Sequence, residues 1–353
     1  MTSNALEEPH EEEVLARVQN GVGTITLNRP KALNALSLNM IQDLWKILSF
    51  WMNDPNVRVV VLEGSGEKAF CAGGDIRAVY DAGKAKKFEI CDAFFREEYT
   101  LNCLIRNYPK PYISMIHGIA MGGGLGVSVN GKYRILSESV MIAMPETGIG
   151  FFPDVGGTTF LSEAPGQVGL YLALTGARLN SADALYAGLG THFIPKERWT
   201  NFKKELQTQD VKDLLDLYSE PLSGSQLEKD QAEIDEHFSK DSVEEIVKSL
   251  ESSTTPFAEK AFEILKTKSP LSVKIAFHQM RGRDPKASFE ELMKREFRIS
   301  QHLMHSHDFY EGVRAVLVDK DQSPKWNPMS FDGITPEIIR NYFSSLGEKE
   351  LAI

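Results

Sequence analysis

Three glycine-rich segments, each of which follows a run of apolar residues, limit the folds that are open to this chain. They have the sequences CAGGD (residues 71–75), MGGGLG (121–126) and PETGIGFFPDVGG (145–157). Glycine accepts left-handed backbone and leaves its N–H group uncovered by a side chain. A glycine run that enters a helix can direct several free N–H groups towards one point. We therefore expect strands that deliver backbone donors to a common site.

Strand-like and helix-like segments alternate through the first half of the chain. The strand-like runs are 22–27, 57–62, 111–117, 133–136 and 140–143, and apolar residues recur at helical spacing in 34–51 and 88–106. The run VRVVVL (57–62) is nearly continuous in β-branched residues, as expected of a strand buried on both faces. This alternation predicts α/β architecture with largely buried parallel strands.

The second half has a different pattern, because charged amphipathic stretches dominate after about residue 197. These stretches are predicted helices at 213–218, 226–238, 243–250, 256–268 and 289–302. The sequence SGS (223–225) between them is typical of a linker. We therefore predict a core domain in residues 1–222 and a helical C-terminal region in residues 223–353.

The charge and the metal-ligand residues exclude several classes of function. With 39 Lys and Arg against 49 Asp and Glu, the formal net charge is −10. Such a chain is a poor general binder of nucleic acid or anionic membrane, although local donors can still hold a phosphate. Three cysteines without CxxC spacing, and a His302, His305 and His307 group without a second ligand pair, predict no metal site.

The composition of the N-terminal residues bears on the cellular compartment of the protein. Residues 1–14 are rich in Glu, whereas a secretory signal needs a basic and then an apolar segment, and a transit peptide needs Arg with few acids. No apolar run approaches the roughly 20 residues that span a bilayer. We expect a cytoplasmic protein, with the mitochondrial matrix as the alternative if a presequence has been removed.

Two carboxylates, Glu146 and Asp154, lie in the third glycine-rich segment, in irregular backbone after apolar strands. Two acids in such a setting can divide acid and nucleophile or base roles if their environments separate their pKa values. The alternative is that either acid caps a helix or solvates a turn, which is the commoner role of one acid in a loop.

Another acid, Glu98, is predicted to face inward from the helix 88–106, while its neighbour Glu97 faces outward. A carboxylate in apolar surroundings needs a partner or a function. An ion pair on the helix surface with Arg96 or Lys87 is the alternative for this region. From the residues alone, both interpretations of Glu98 stay open.

The first two glycine-rich segments can each offer one backbone N–H group to an oxyanion, at roughly 2.7–3.1 Å from its oxygen. The alternative is that both are only tight turns. GGGLG lacks the GxGxxG spacing of a dinucleotide site, and no GxSxG motif marks a Ser-His-Asp hydrolase.

Taken together, these segments resemble the crotonase (enoyl-CoA hydratase/isomerase) superfamily. The matching segments, in family order from about residue 12 to 326, are LNRPKALNAL (27–36), AFCAGGDI (69–76), KPYISMIHGIAMGGGLG (110–126), AMPETGIGFFPDVGG (143–157), ALTGARLNSADALYAGLGTHFIP (173–195) and DFYEGVRAVLVDKDQSPKW (308–326). The resemblance implies an α/β fold, a crotonase-like spiral of ββα units followed by a helical C-terminal region. It also implies a bent acyl-CoA as the ligand, no separate cofactor, and a possible homo-oligomer.

The resemblance assigns roles to particular residues. The family holds the thioester oxygen with the N–H groups that correspond to Gly74 and Gly123. Its LNRPKALN loop contacts CoA, which implies Lys31 and Ala32 here.

The chain departs from family hydratases at Gly126, where those enzymes place a catalytic Glu. The motifs FREEY, MPET and FPDVGG instead resemble the 3-hydroxyisobutyryl-CoA hydrolase subgroup, which acts in valine degradation. That likeness implies that Glu98, Glu146 and Asp154 are active-site acids for thioester hydrolysis.

Two rival interpretations stay open. The first is a hydratase or isomerase on the same fold, against which Gly126 argues. The second is a non-catalytic binding protein, such as an RNA partner, since fold does not fix function. The acidic composition and the retained acids argue against this second rival.

Overall fold

The computed structural model describes residues 12–353, in which nine strands and sixteen helices form. The first eleven residues, on which much of the localisation prediction rests, lie outside the described part. The strands are β1 (Val14–Gln19), β2 (Val22–Leu27), β3 (Val59–Gly64), β4 (Ala69–Cys71), β5 (Tyr112–Ile116), β6 (Ile119–Met121), β7 (Tyr133–Leu136), β8 (Met141–Ala143) and β9 (His192–Phe193). The helices are α1 (Leu38–Trp51), α2 (Ile76–Lys84), α3 (Phe88–Arg106), α4 (Gly123–Gly126), α5 (Gly157–Ser162), α6 (Val168–Thr175), α7 (Ser181–Tyr186), α8 (Trp199–Glu205), α9 (Val211–Tyr218), α10 (Gln226–Phe238), α11 (Val243–Glu251), α12 (Pro256–Lys266), α13 (Pro270–Arg281), α14 (Phe289–Leu303), α15 (His307–Val313) and α16 (Pro336–Tyr342).

The strands form two sheets in a repeating pattern. The larger sheet has the order β1-β2-β3-β5-β7-β9 and the smaller has the order β4-β6-β8. Only β1 and β2 pair antiparallel; the other described pairs are parallel. The strands β3, β5 and β7 of the larger sheet are each followed by a strand of the smaller sheet, so the chain advances as a spiral of ββα units. The predicted fold class is confirmed.

Local differences from the sequence-based expectations have local causes. β4 and β6 lead into the first two glycine-rich segments and were not predicted as strands, because three residues are too few to show an alternating pattern. The first helix was expected from residue 34 but begins at Leu38. Leu33 and Asn34 have left-handed backbone, with φ of 53° and 55°. The Ser37 side chain then accepts the N–H of Met40 and caps the helix.

The second half is helical, as predicted, and packs against the first. α10 spans residues 226–238 as expected, whereas α12 ends at Lys266, two residues early. α14 packs along α3, and Phe297 and Phe95 from these two helices belong to one hydrophobic core. Whether the chain divides at residue 222 stays a prediction. Within residues 12–353, no helix is both long and apolar enough to cross a membrane.

Candidate active site

Two backbone N–H groups meet where the smaller sheet ends. β4 and β6 are parallel neighbours, so the loops after them leave the same edge of the sheet. A Cβ built on Gly123 would lie 3.0 Å from the nitrogen of Gly74. No acceptor in residues 12–353 receives the N–H of either glycine. Two unpaired donors therefore stand side by side, at the positions that the family resemblance implies.

Glycine is required around these donors for two reasons. Gly73 and Gly122 have φ of 117° and 47°, a region that residues with a Cβ avoid. In addition, a Cβ on Gly122 would lie 2.7 Å from Oε1 of Glu146, and one on Gly123 would collide with Oε1 of Glu98. The two glutamates therefore border the loop that carries the Gly123 donor.

Glu98 faces inward from α3, as predicted. Its side chain is buried and Oε1 has no hydrogen-bond partner among the described residues, whereas Glu97 is half-buried. Burial and the charge of Asp154 hold the pKa of Glu98 well above its usual range. The protonated form of Glu98, which can donate a hydrogen bond, is therefore favoured relative to an exposed glutamate.

Glu146 begins a 3-10 turn, Glu146–Ile149, shortly after β8 ends at Ala143. It is buried, and Oε2 lacks a hydrogen-bond partner within the described chain. Burial and the charge of Asp154 raise the pKa of Glu146 well above its ordinary value, while Lys268 opposes that rise. A buried and unpartnered carboxyl group of this kind is available to react with a ligand.

Asp154 is also buried, and its Oδ2 accepts a 2.7 Å hydrogen bond from the hydroxyl of Tyr99. Burial raises its pKa to about 8, although the Tyr99 hydrogen bond acts in the opposite direction. The next residue, Val155, has a φ of 52°, which is rare for a β-branched side chain. The backbone after Asp154 is thus held in a strained turn.

A buried glutamate that the sequence analysis missed fixes this turn. Glu296 of α14 accepts the N–H groups of Gly156 and Thr158 at 2.8 and 2.9 Å and the Thr158 hydroxyl at 2.6 Å. Burial raises the pKa of Glu296, and these donors partly oppose the rise. The available signal was its position on the apolar face of α14, four residues after Leu292.

The predicted site residues line one cavity of about 750 Å³. They are Lys31, Ala32, Gly74, Glu98, Gly123, Glu146 and Asp154. Lys31 and Ala32 are exposed at the rim, while the three acids lie in its buried wall. The structure therefore brings together every residue that the family resemblance singled out.

Further cations line the cavity that the sequence analysis did not identify. They are Arg77, Arg178, Lys268 and Lys320. Lys268 and Lys320 come from the C-terminal half, and their approach depends on tertiary packing that no local pattern encodes. Together with Lys31 they give a positively charged border to a cavity in an acidic protein, which suits a ligand that carries phosphates.

At Gly126 the structure has no room for the acid that family hydratases carry. A Cβ there would lie 2.7 Å from Cβ of Val155 and 2.9 Å from Nδ2 of Asn102. Both neighbours are buried, so neither can move towards solvent. Val155 and Asn102 therefore fill the space that a side chain at position 126 would need.

The comparisons with known proteins agree with this geometry. The sequence model of the enoyl-CoA hydratase/isomerase family matches residues 22–343. Curated relatives include 3-hydroxyisobutyryl-CoA hydrolase, mitochondrial, from Danio rerio, 47% identical over 97% of this chain and 92% of the relative. The Homo sapiens protein of the same name is 44% identical over 96% of this chain and 90% of the relative.

Two solved structures are similar over the whole chain. A carnitinyl-CoA dehydratase from Mycobacterium thermoresistibile has a TM-score of 0.93 and 39% identity, covering 97% of this chain and 99% of that one. An enoyl-CoA hydratase from Rhodobacter sphaeroides has a TM-score of 0.92 and 37% identity, covering 97% and 100%. The recognition made from the ordered motifs is confirmed: this chain belongs to the enoyl-CoA hydratase/isomerase family.

Proposed function

We propose that this chain hydrolyses the thioester of 3-hydroxyisobutyryl-CoA, or of a similar short 3-hydroxyacyl-CoA, to the free acid and CoA. Relatives with that substrate in their names are 43–47% identical over nearly the whole chain. One observation carries the proposal: Glu146 and Asp154 face one cavity, while the space for the second hydratase acid at Gly126 is filled.

The first step is polarisation of the thioester. The carbonyl oxygen accepts the N–H groups of Gly74 and Gly123, which have no other acceptor in the described structure. Charge that develops on this oxygen in the transition state is then stabilised by donors already in place. Because the two donors already stand side by side, little reorganisation is needed.

Two acids then carry out the hydrolysis, one as the nucleophile and the other as the proton donor. The Glu146 carboxylate attacks the carbonyl carbon, the carbon–sulfur bond breaks, and the CoA thiolate takes the proton of Asp154. Water next attacks the resulting mixed anhydride, Glu146 leaves as a carboxylate, and the water proton returns to Asp154. A pKa of about 8 keeps Asp154 protonated at neutral pH, as this role requires.

A second route uses the same residues. Glu146 takes a proton from water, which attacks the thioester directly. In either route, Asp154 protonates the leaving sulfur or holds the substrate hydroxyl. Glu98, whose Oε1 is unpartnered, orients that hydroxyl or the water.

The remaining contacts belong to CoA. Lys31 and Ala32 at the rim contact CoA in this proposal, and the cations Arg77 and Lys320 suit its phosphates. Water is the only co-reactant of this hydrolysis, and the proposed steps use groups of this chain alone. Among the described residues no cluster of three metal-ligating side chains occurs.

Hydration of an enoyl-CoA is the second candidate, because the two structural relatives above are named as a dehydratase and a hydratase. Addition of water across a double bond needs acid and base groups near it, which Glu146 and another acid would supply. Gly126 offers none, so Glu98 or Asp154 would have to replace it.

The experiment is to follow free thiol release from 3-hydroxyisobutyryl-CoA beside hydration of crotonyl-CoA. We expect thiol release without hydration. Glu146→Gln should lose most thiol release and still bind CoA, while Glu97→Gln, a half-buried neighbour of Glu98, is the control. Hydration without thiol release, or near-full activity of Glu146→Gln, would refute the proposal.

We also propose a mitochondrial location, since the curated relatives named above are mitochondrial. This favours the second of the two predicted compartments. Cell fractionation with an antibody against the endogenous protein tests it, and a purely cytosolic signal would restore the first. Assembly as a homo-oligomer stays a prediction, for which sedimentation is the measurement.

A further inference from the structure

Lys268 reaches the cavity from a fixed junction between α12 and α13. Ser269, the next residue, donates its N–H to the carbonyl of Thr147 at 3.0 Å and its hydroxyl to Asp308 at 2.5 Å. The N–H of Lys268 itself donates to the carbonyl of Leu265 at 3.1 Å. The backbone that carries Lys268 is therefore tied to the turn that begins at Glu146.

The side chain of Lys268 runs along a glycine of that turn. A Cβ on Gly148 would lie 3.3 Å from Nζ and 3.8 Å from Cδ of Lys268. The side chain is half-buried and lines the cavity together with Glu146. No residue in 12–353 forms an ion pair or a hydrogen bond with its ammonium group. A partly desolvated ammonium group without a fixed partner is costly unless it serves a charge nearby.

The groups that face Glu146 are mostly acids. Asp154 and Glu98 share its cavity, and their charges raise the pKa of Glu146, as burial does. Lys268 is the cation whose charge lowers that pKa. In turn, burial lowers the pKa of Lys268, while the Glu146 carboxylate raises it and Arg178 lowers it further. Glu146 and Lys268 thus favour each other's charged form.

The lysine and arginine side chains on the helices packed against this turn have other partners, and Arg281 of α13 donates to the carbonyl of Phe238. α6 contains no Asp, Glu, Lys or Arg. On α13, Lys274 pairs with Glu244 at 2.5 Å. On α15, Asp308 accepts from Ser269 at 2.5 Å and from the N–H of Asn327 at 2.8 Å.

We propose that Lys268 is a positioning residue that holds Glu146 as a carboxylate while Asp154 keeps its proton. The inference rests on the proposed hydrolase function, in which those two protonation states are needed together. Three buried acids in one cavity do not separate into a nucleophile and a proton donor by burial alone, because burial disfavours the charge on each. An ammonium group beside one of them breaks that equivalence.

The test is the pH dependence of kcat/KM for thioester hydrolysis. In Lys268→Met and Lys268→Gln, the acid limb of the pH profile should move to higher pH by about one unit. At acidic pH, kcat/KM should then be about tenfold lower than in the wild type. Lys268→Arg should keep the limb near its original pH, because the charge is retained. Lys320→Met removes a cation from the rim of the same cavity, and its acid limb should not move, whatever happens to its KM.

An unmoved limb in both neutral variants, with KM raised and kcat intact, would overturn the inference and make Lys268 a contact for an anionic part of CoA. A readout without turnover separates this failure from that of the hydrolase proposal. The infrared carboxyl band that disappears in Glu146→Gln belongs to Glu146. The pH dependence of that band reports the titration of Glu146 in the protein without substrate. That titration should shift to higher pH in Lys268→Met, and an unchanged titration would refute the inference even if no thioester is hydrolysed.

Discussion

The phenol of Tyr99 donates a 2.7 Å hydrogen bond to Oδ2 of Asp154, and both groups are buried. The hydrogen bond stabilises the charged form of Asp154 and therefore lowers its pKa, which burial has raised. Tyr99 thus limits how strongly Asp154 retains its proton. In the proposed mechanism this balance sets the pH above which the leaving thiolate is no longer protonated.

Tyr99→Phe should therefore move the basic limb of kcat/KM to higher pH. Without the hydroxyl the carboxylate loses a donor, the pKa of Asp154 rises above its value of about 8, and the acid stays protonated further into the alkaline range. A net hydrogen bond of about 1 kcal/mol corresponds to a shift of somewhat under one pH unit. The measurement is the pH profile of thiol release.

Tyr112→Phe is the matched control, because the buried Tyr112 donates a 2.9 Å hydrogen bond to the carbonyl of Val127 and not to an acid. It should lose a similar amount of stability and leave both limbs in place. If the basic limb of Tyr99→Phe stays at the wild-type pH or moves to lower pH, Asp154 is not the group that titrates there.

The second prediction concerns the filled space at Gly126. Gly126→Ala would place a Cβ 2.7 Å from that of Val155, so it should lower the free energy of unfolding by about 1–3 kcal/mol. Val155→Gly removes the opposing Cβ at a position with a φ of 52°. The double variant should therefore be more stable than the sum of the two single effects, by denaturant unfolding.

If the two changes were additive, the overlap would not be the source of the cost. Gly126→Glu tests the functional side of the same contact. It should unfold more easily and show no hydration of crotonyl-CoA, because the new carboxylate cannot occupy the position between Val155 and Asn102. Hydration by that variant would contradict the steric account.

Sequence reasoning succeeded where a signal was local. Helical spacing placed Glu98 inward, and the glycine runs predicted one donor from each of two loops, which the family resemblance assigned to Gly74 and Gly123. It failed where the signal was tertiary. Glu296 acts on a turn some 140 residues earlier in the chain, as its bonds to Gly156 and Thr158 show. No spacing within either segment reveals such a contact.

Lys268 was missed for a related reason. It lies at a junction between helices, whereas its segment was predicted to be helical through residue 268, and one lysine in a charged amphipathic stretch gives no sign that it lines a cavity. Its approach to Gly148 depends on how α12 and α13 pack against the turn that begins at Glu146. The order of the motifs identified the family, but the charge balance of the site needed the three-dimensional structure.

The third prediction links Glu98 to stability. Its pKa is higher in the folded state than in the unfolded state, where it is about 4.3. Between those two values the folded state binds a proton that the unfolded state does not, so stability falls as pH rises through this range. Glu98→Gln removes the dependence, and its melting temperature should exceed that of the wild type by a margin that grows from pH 5 towards alkaline pH.

The adjacent residue Glu97 provides the comparison. Glu97→Gln changes the same formal charge one residue away on α3, at a half-buried position, and should leave the pH dependence of the melting temperature unaltered. Equal behaviour of the two variants would mean that burial of Glu98 does not cost stability. Because Glu98 lies in the proposed site, Glu98→Gln should also be slower in thiol release, so stability and activity change in opposite directions.

The last prediction concerns Glu296, which holds the turn after Asp154. Glu296→Ala leaves the N–H groups of Gly156 and Thr158 buried without an acceptor, at a cost of about 3 kcal/mol or more. Glu291→Ala on the same helix removes an exposed capping box with Ser288, which should cost only about 1 kcal/mol.

Activity distinguishes the two changes beyond stability. Because the turn released in Glu296→Ala carries Asp154, kcat for thiol release should fall strongly even at temperatures where the variant is fully folded by circular dichroism. Glu291→Ala should keep the kcat of the wild type under those conditions. If folded Glu296→Ala retained full kcat, the turn would be fixed by the close approach of Val155 to Gly126 instead, and Glu296 would contribute to stability alone.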